Sequence, residues 1–454
     1  MKKKIIMALL AATMITNMLV GCGGNQEAAN GEDVTVKDET VKTQEKDVTA
    51  KDETVKTQEE EKVEVVNLSE KSNQKIEIDY NIDTYQPVQD LGFALFKENI
   101  QDTNPVLSPV SAYIALTMAG NGAQGNTKQE FENVLGKNED MTVMSESMMH
   151  LLPKKTDRLT VELANSAWID DAFTVKEEWI GQITSFYDAE AYQTDVSTQE
   201  AMNAMNTWID KNTHGLIQKM IEQPFDPETR MVLFNTLYFK GKWGNPFTME
   251  STYEEDFHIS DTETVQVPMM HQSEEYYDFI ETDTIKGIVM PYADSNLSFI
   301  ALMPQGGMTI REVCEGLTAE GLSYLLEDRQ NLLVNVKLPK FEVSFDKMLN
   351  DSLINMGLAD AFDKEKADFS SLGTTDSGNP VYISLVRQKA VVKVDEEGTE
   401  AAAATEVAIM EACALLPENE PIDVFFDQPF LYLIMDMENQ LPLFMGIMDN
   451  PVAE

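Results

Sequence analysis

Residues 394–416 have the sequence VDEEGTEAAAATEVAIMEACALL, and the interpretation of the whole chain depends on this stretch. Side chains of a β-strand point alternately to the two faces of a sheet, so the odd-numbered positions from Thr399 to Ile409 would share one face. All of those positions are small or apolar, whereas the even-numbered ones include Glu400 and Glu406. The stretch could therefore become a strand with one buried face. Its four alanines suit a helix equally well, so a conformational switch, an Ala-rich surface helix and a linker all remain open.

The 454-residue chain is strongly acidic, with a formal net charge of -44 at pH 7, and 43% of its residues are hydrophobic. This hydrophobic content is sufficient for a core, and the length fits one large domain. The negative charge argues against nucleic acid, heparin-like polyanions and anionic membrane surfaces as partners of the folded part. The three cysteines and four histidines show no metal-ligand spacing, so we expect neither a metal nor another cofactor.

The first 22 residues have the pattern of an export signal. Three lysines precede an apolar run, residues 5–15, that is too short for a permanent membrane span. The run leads to Leu19-Val20-Gly21-Cys22, which resembles a bacterial lipoprotein box. The resemblance implies cleavage before Cys22 and lipidation of that residue, which would anchor an exported protein at the cell surface. An ordinary signal peptide with a chance cysteine is the alternative.

Residues 23–84 are expected to form a disordered acidic tether. Segment 33–45 recurs nearly unchanged as 47–59, and no aromatic residue precedes Tyr80. Such a composition buries too little apolar surface to offset the entropy lost on ordering. From residue 85 the composition becomes globular, so we expect the folded domain to cover 85–454.

Apolar patterns beyond residue 85 predict interleaved helices and strands, which indicates an α+β domain. Ser108 is expected to cap a helix whose first turn holds Pro109. The other expectations that matter below are helices at 199–212 and 345–356 and strands at 159–169, 231–239 and 390–394. The strand at 231–239 is apolar apart from Asn235, which predicts a central strand with a buried amide that needs hydrogen-bond partners.

Several blocks of the sequence, in order, resemble the serpin family. They are Ser108-Pro109-Val110-Ser111 with 122–127, then 206–217, 234–243, 267–270, 396–405, 426–430 and 443–446. Together they cover essentially residues 85–454. The resemblance implies an α+β serpin fold with a large mixed main sheet, two smaller sheets, about nine helices and an exposed reactive loop.

The resemblance also implies a mechanism, in which a serine protease, or sometimes a cysteine protease, cuts the reactive loop and becomes covalently trapped when the loop inserts into the main sheet. The implied hinge of this loop comprises Glu397, Gly398, Thr399, Glu400, Ala401, Ala402, Ala403, Ala404 and Thr405. Non-inhibitory members tend to carry bulky, charged or proline residues at the inward hinge positions, and this sequence has none there. The implied partner is a serine protease, and the implied state is a monomer that is not an enzyme.

Counting from Gly398 as is usual in the family places the cut bond between Ala412 and Cys413. A small residue before that bond suits an elastase-like protease. The loop is longer than in common members, so cleavage after Met410, Glu411, Leu415 or Leu416 remains an alternative. Cleavage after leucine would suit a chymotrypsin-like protease.

The resemblance further implies a group of residues that controls the opening of the main sheet, namely Ser108, Ser111, Asn235, Trp243 and Gln388. Family members commonly have a histidine where this chain has Gln388. An amide can bridge Asn235 to Ser108 or Ser111 but does not titrate, so we expect no pH step in loop insertion between pH 5 and 8.

Two other functions compete with inhibition. An enzyme is disfavoured because the sequence has no metal motif, no Gly-rich phosphate loop and no nucleophile elbow. A serpin-fold protein that binds a partner without inhibiting a protease is the second alternative.

Overall fold

Three β-sheets and ten α-helices make up the part of the chain that the computed structural model describes, residues 64–69, 84–375, 378–399 and 420–453. All of it lies in one compact unit, residues 61–454. The helices are α1 (Gln86–Asn99), α2 (Pro109–Gly120), α3 (Gly125–Leu135), α4 (Asn138–Leu151), α5 (Glu177–Phe186), α6 (Gln199–Asn212), α7 (Ile310–Gly316), α8 (Ala319–Glu327), α9 (Asn350–Asn355) and α10 (Ala359–Phe362).

The strands are β1 (Val66–Asn67), β2 (Val106–Leu107), β3 (Lys154–Lys155), β4 (Leu159–Ile169), β5 (Phe173–Val175), β6 (Ala189–Gln193), β7 (Met231–Lys242), β8 (Thr252–Ser260), β9 (Glu263–Glu281), β10 (Ile285–Pro291), β11 (Leu297–Pro304), β12 (Gln330–Pro339), β13 (Phe341–Met348), β14 (Gly373–Thr375), β15 (Arg387–Val394), β16 (Gly398–Thr399), β17 (Ile422–Phe425), β18 (Phe430–Asp436) and β19 (Leu441–Met448). The helix at 199–212 and the strand at 159–169 have the bounds that the sequence predicts.

The main sheet has the strand order β1-β6-β4-β7-β16-β15-β13, with β3 attached to β4. β4 pairs parallel with β6 and antiparallel with β7 along its whole length. At the other side, β13 and β15 pair antiparallel over eight residues. The two-residue strand β16 therefore lies between two well-paired blocks, β6-β4-β7 and β15-β13.

The second sheet has nine strands, in the order β17-β12-β9-β10-β11-β18-β19-β2 with β8 attached to β9. Every residue of β11, β18 and β19 is buried. Continuous apolar runs of this kind are typical of strands covered on both faces. The second sheet has nine strands against eight in the main sheet, whereas the sequence predicts that it is the smaller of the two. The third sheet is the pair β5-β14.

Helix α2 lies inside the domain, since eleven of its twelve residues are buried. The Ser108 hydroxyl accepts a hydrogen bond from the Ser111 amide at 3.2 Å, and Pro109 occupies the first turn, as predicted. Helix α6 covers the opposite face of the main sheet. There Met205, Trp208 and Ile209 form a separate apolar cluster with Trp168 of β4 and Phe234 of β7.

The helix predicted at 345–356 is wrong over its first part, because it begins in a strand and only its second part is helical. Residues Phe341–Met348 form strand β13, and helix α9 begins only at Asn350. Phe341, Val343 and Phe345 alternate with polar residues, and this period of two decides the structure because β13 pairs with β15 along its length.

The predicted tether is also wrong over residues 64–69. Val66 and Asn67 pair antiparallel with the edge of β6, and the Leu68 amide donates to the Ala191 carbonyl at 2.7 Å. The Leu68 side chain is buried in the core. An unpaired sheet edge offers free backbone groups, so a short apolar run is sufficient to add a strand there.

Candidate functional site

The two residues of β16 lie at the start of the alanine-rich stretch. Gly398 and Thr399 oppose Lys242 and Gly241 of β7, and Thr399 also opposes Val394 of β15. A side chain at Gly398 would bring its Cβ to 2.0 Å from the Gly241 carbonyl oxygen, so only glycine fits at this position. The alanine-rich stretch therefore begins as a strand paired on both sides within the main sheet.

The side chain of Thr399 points into the core, as the period of two predicts. Thr399 is only 3% exposed, and its hydroxyl lies 2.5 Å from the hydroxyl of Tyr292. The Tyr292 ring stacks on Trp243 with centroids 5.0 Å apart and an interplanar angle of 9°. Burial raises the pKa of Tyr292, so it remains a neutral hydroxyl. This aromatic pair forms the floor beneath β16.

Trp243 also fixes the backbone that leads into β16. Its indole Nε1 donates to the Asp395 carbonyl at 2.9 Å, and its backbone amide donates to the Glu397 carbonyl at 2.9 Å. The Asp395 carboxylate accepts the amides of Glu397 and Gly398 at 3.0 and 3.3 Å. Burial raises the pKa of the Asp395 carboxyl, and the two backbone amides oppose that rise. Trp243, which the sequence predicts at this site, thus contacts the backbone on both sides of Glu396.

Glu396 is tied to Lys340 on the outside of this turn. The Lys340 ammonium donates to the Glu396 carboxylate at 2.8 Å. Burial disfavours the charge of Glu396, but the hydrogen bond from Lys340 and other donors outweigh it, so the pKa of the Glu396 carboxyl lies below its ordinary value. The ion pair connects the β16 turn to the residue between β12 and β13.

Below β16 the main sheet contains a cavity of about 510 Å³. Its walls come from α2, from β7, and from residues 381–391 leading into β15. Among the described residues β7 pairs on this side only with β16, so β7 and β15 present backbone donors and acceptors that the described strands leave unpaired. We call this cavity the slot. A further strand that entered it could form hydrogen bonds with both β7 and β15.

Among the described contacts, Gln388 forms hydrogen bonds with only one of its expected partners, Ser108. Its Oε1 accepts from the Ser108 amide at 3.0 Å and its Nε2 donates to the Ser108 carbonyl at 2.9 Å. The expected bridge to Asn235 is absent among the described contacts. Asn235 instead donates to Asn165 of β4 at 2.8 Å, and its Oδ1 is buried without a partner in the described structure. The bridge fails because β7 and β15 do not pair at this level.

Three contributors to the site were missed in the sequence: Asn165, Tyr292 and Lys340. Asn165 carries a usable signal, because it interrupts the apolar face formed by Leu159, Val161 and Ala167 in a strand of period two. Tyr292 and Lys340 carry none, since each lies just beyond a strand and acts through tertiary contacts.

Other predicted residues lie outside the described part of the chain. They are Cys22, the hinge residues Glu400, Ala401, Ala402, Ala403, Ala404 and Thr405, and the candidate cleavage residues Met410, Glu411, Ala412, Cys413, Leu415 and Leu416. Within the described ranges, no helix is long and apolar enough to cross a membrane.

Comparison with known proteins gives consistent matches. A family model described as Serpin (serine protease inhibitor) matches residues 86–451. An uncharacterized serpin-like protein of Thermococcus kodakarensis is 34% identical over 366 residues, which are 79% of this chain and 84% of that protein.

Two solved structures are similar over most of the chain. The thermophilic serpin tengpin in its native state gives a TM-score of 0.78 at 31% identity, covering 86% of this chain and 100% of tengpin. Thyroxine-binding globulin in complex with thyroxine gives a TM-score of 0.70 at 29% identity, covering 81% of this chain and 98% of that one.

Proposed function

The chain belongs to the serpin family, and from that premise we propose that it is a single-use covalent inhibitor of serine proteases. Serpins are mostly inhibitors of proteases rather than catalysts, and the family and fold predicted from the sequence are confirmed. What is proposed for this chain is the mechanism: a protease cuts the loop after β16, and the freed segment then enters the slot.

The observation that carries this proposal is the position of β16. Thr399 opposes Gly241 on β7 and Val394 on β15. If the chain after Thr399 continued as an antiparallel strand in these two registers, Thr405 would lie opposite Asn235 of β7 and Gln388 of β15. The orphaned Oδ1 of Asn235 would then face an inserted strand.

The composition of the hinge suits this insertion. Ala401 and Ala403 would share the inward face of Thr399, and small side chains can enter a packed sheet with little rearrangement. The 12 residues of β7 would oppose 398–409. At roughly 1 kcal/mol net for each hydrogen bond, the gain on pairing with both neighbours is on the order of 10 kcal/mol.

The chemical step belongs to the protease. Its serine oxygen would attack the carbonyl carbon of Ala412, an ester to Ala412 would form, and the peptide bond to Cys413 would break. The protease's histidine supplies the proton that leaves on the Cys413 amine. Insertion would then move the esterified protease away from its original position before water hydrolyses the ester.

The target and the location of the protein are further parts of the proposal. A cut after Ala412 favours an elastase-like protease, and a cut after Met410, Glu411, Leu415 or Leu416 would change the target class. Lipidation of Cys22 would hold the monomeric inhibitor at the cell surface through the N-terminal segment.

The test is to mix the protein with pancreatic elastase and with chymotrypsin, then run a denaturing gel. An inhibitor gives a band at the summed mass, and mass spectrometry of the released C-terminal fragment identifies the cut bond. A clipped chain without that band would favour the alternative of a non-inhibitory binding protein, a possibility raised by the similarity to thyroxine-binding globulin, whose structure contains thyroxine.

A further inference from the structure

A short segment after α6 lies over the slot on the outer face of the main sheet. This segment, residues 216–222, is called the strap. Leu216, Ile217, Met220 and Ile221 of the strap line the slot cavity and pack with the α6 cluster. Val391 of β15 packs against the same cluster, so the α6 layer extends from β4 and β7 across to β15.

The strap is attached to α6 through Met220 and Ile221. The Asn206 side chain accepts from the amides of Met220 and Ile221 at 3.0 and 2.9 Å and donates to the Ile221 carbonyl at 2.8 Å. These three hydrogen bonds fix the strap to α6, which itself packs on β4 and β7.

Arg387 attaches the strap to the opposite side of the slot. Its Nη1 donates to the Met220 carbonyl at 2.8 Å, while Nε and Nη2 bind the Asp346 carboxylate of β13 at 2.5 and 2.7 Å. Lys389 supplements this contact with a 3.4 Å hydrogen bond to the Lys219 carbonyl. A planar guanidinium held by a carboxylate is a rigid donor, so the Met220 carbonyl is held in a defined position.

We propose that Arg387 is a positioning residue for loop insertion: it holds the strap closed over the slot and thereby limits the rate at which a strand enters. The inference rests on the proposed function, because it concerns the same insertion step. A segment that enters beside β15, beneath the strap, must displace the strap side chains that line the cavity. That displacement breaks the hydrogen bond between Arg387 and Met220.

The test uses a synthetic peptide with the sequence of residues 399–410, labelled with a fluorophore, and measures its rate of incorporation into the intact full-length protein on native gels. Arg387→Met keeps the length and apolar stem of the side chain but removes every donor. We expect incorporation to be about ten- to a hundredfold faster, the factor expected for loss of one charge-assisted hydrogen bond. Arg387→Lys, which keeps a charged donor, should give an intermediate rate.

Lys393→Met is the matched control, because Lys393 lies on the same face of β15 but pairs with Glu342 at 3.3 Å, away from the strap. Its incorporation rate should equal that of the unmodified protein. Equal rates for Arg387→Met and the unmodified protein would overturn the inference, and so would equal acceleration in both variants. If Arg387→Met does not fold, Asn206→Ala removes the hydrogen bonds that hold Met220 and Ile221 of the strap to α6, and it must accelerate incorporation for the inference to stand.

A second measurement separates the strap from general stability and from the inhibitor proposal. A merely structural role of Arg387 would lower the melting temperature and leave peptide incorporation unchanged. A strap that limits insertion changes the incorporation rate and, with a target protease, the number of inhibitor molecules consumed per protease trapped. If no protease forms a covalent complex while Arg387→Met still accelerates the peptide, the inhibitor proposal fails and the role of the strap stands.

Discussion

The hydroxyl of Tyr292 lies 2.5 Å from the hydroxyl of Thr399, and both groups are buried. Tyr292 follows β10 in the nine-stranded sheet, whereas Thr399 is the last residue of β16 in the main sheet. This single contact therefore fixes the first inward residue of the alanine-rich stretch to the core shared by the two sheets.

We expect Tyr292→Phe to destabilise the intact protein by about 1–2 kcal/mol, because the Thr399 hydroxyl would remain buried without a partner. Urea unfolding of the uncleaved protein measures the change. Tyr432→Phe is the control: the Tyr432 hydroxyl is buried and has no partner among the described residues, so its removal should cost little. Equal losses in the two variants would contradict the importance of the contact to Thr399.

Ala403→Pro should convert an inhibitor into a substrate. Proline has no backbone N–H and interrupts a ladder that must pair on both sides, so insertion would stop at that residue. The protease would then cut the loop and leave, and the covalent band on a denaturing gel should disappear while the clipped chain remains. Ala403→Ser keeps the backbone donor and should retain most of the covalent complex. Undiminished complex with the proline variant would refute insertion.

The ion pair between Lys340 and Glu396 should make stability depend on pH in a defined direction. The folded-state pKa of Glu396 is lowered, so its contribution is present above the ordinary glutamate pKa of about 4.3 and is lost as pH falls through the folded value. Lys340→Met should therefore reduce the free energy of unfolding at pH 7, and its difference from the unmodified protein should shrink below about pH 4.3. Lys393→Met, in an exposed pair, is the control. A difference that stays constant with pH would argue against the pairing.

Gln388→Ala should destabilise the intact protein by about 1–3 kcal/mol, because the Ser108 amide loses its partner. The Ser108 carbonyl loses the Gln388 donor but keeps the Ala112 amide at 3.0 Å. Peptide incorporation should show no step between pH 5 and 8 in either protein, because an amide does not titrate. Gln388→His would introduce such a step. A pH step in peptide incorporation that is present in the unmodified protein and absent from Gln388→Ala would contradict this prediction.

Local patterns predicted much of the main sheet from the sequence. The apolar run around Asn235 indicated β7, and the period of two between Thr399 and Ile409 is consistent with the inward side chain of Thr399. Ser108 and Pro109 predicted the start of α2, because helix capping depends on neighbours in sequence. These signals succeed where the decisive interaction is local.

The errors arose where pairing between distant segments decides the structure. Phe341–Met348 became a strand because β15 lies beside it, and residues 64–69 became ordered because β6 would otherwise have a free edge. The partners of Gln388 depend on how far apart β7 and β15 lie, which the residue types do not specify. The site is thus predictable as a set of residues and less so as a set of contacts.

The pairing of β16 has a kinetic consequence. Fixing the first residues of a new strand costs conformational entropy before many hydrogen bonds form, so nucleation is ordinarily the slow part of such a process. Gly398 and Thr399 are already paired before any bond is cut. After cleavage the chain would therefore only have to elongate an existing nucleus. This makes insertion faster relative to hydrolysis of the ester.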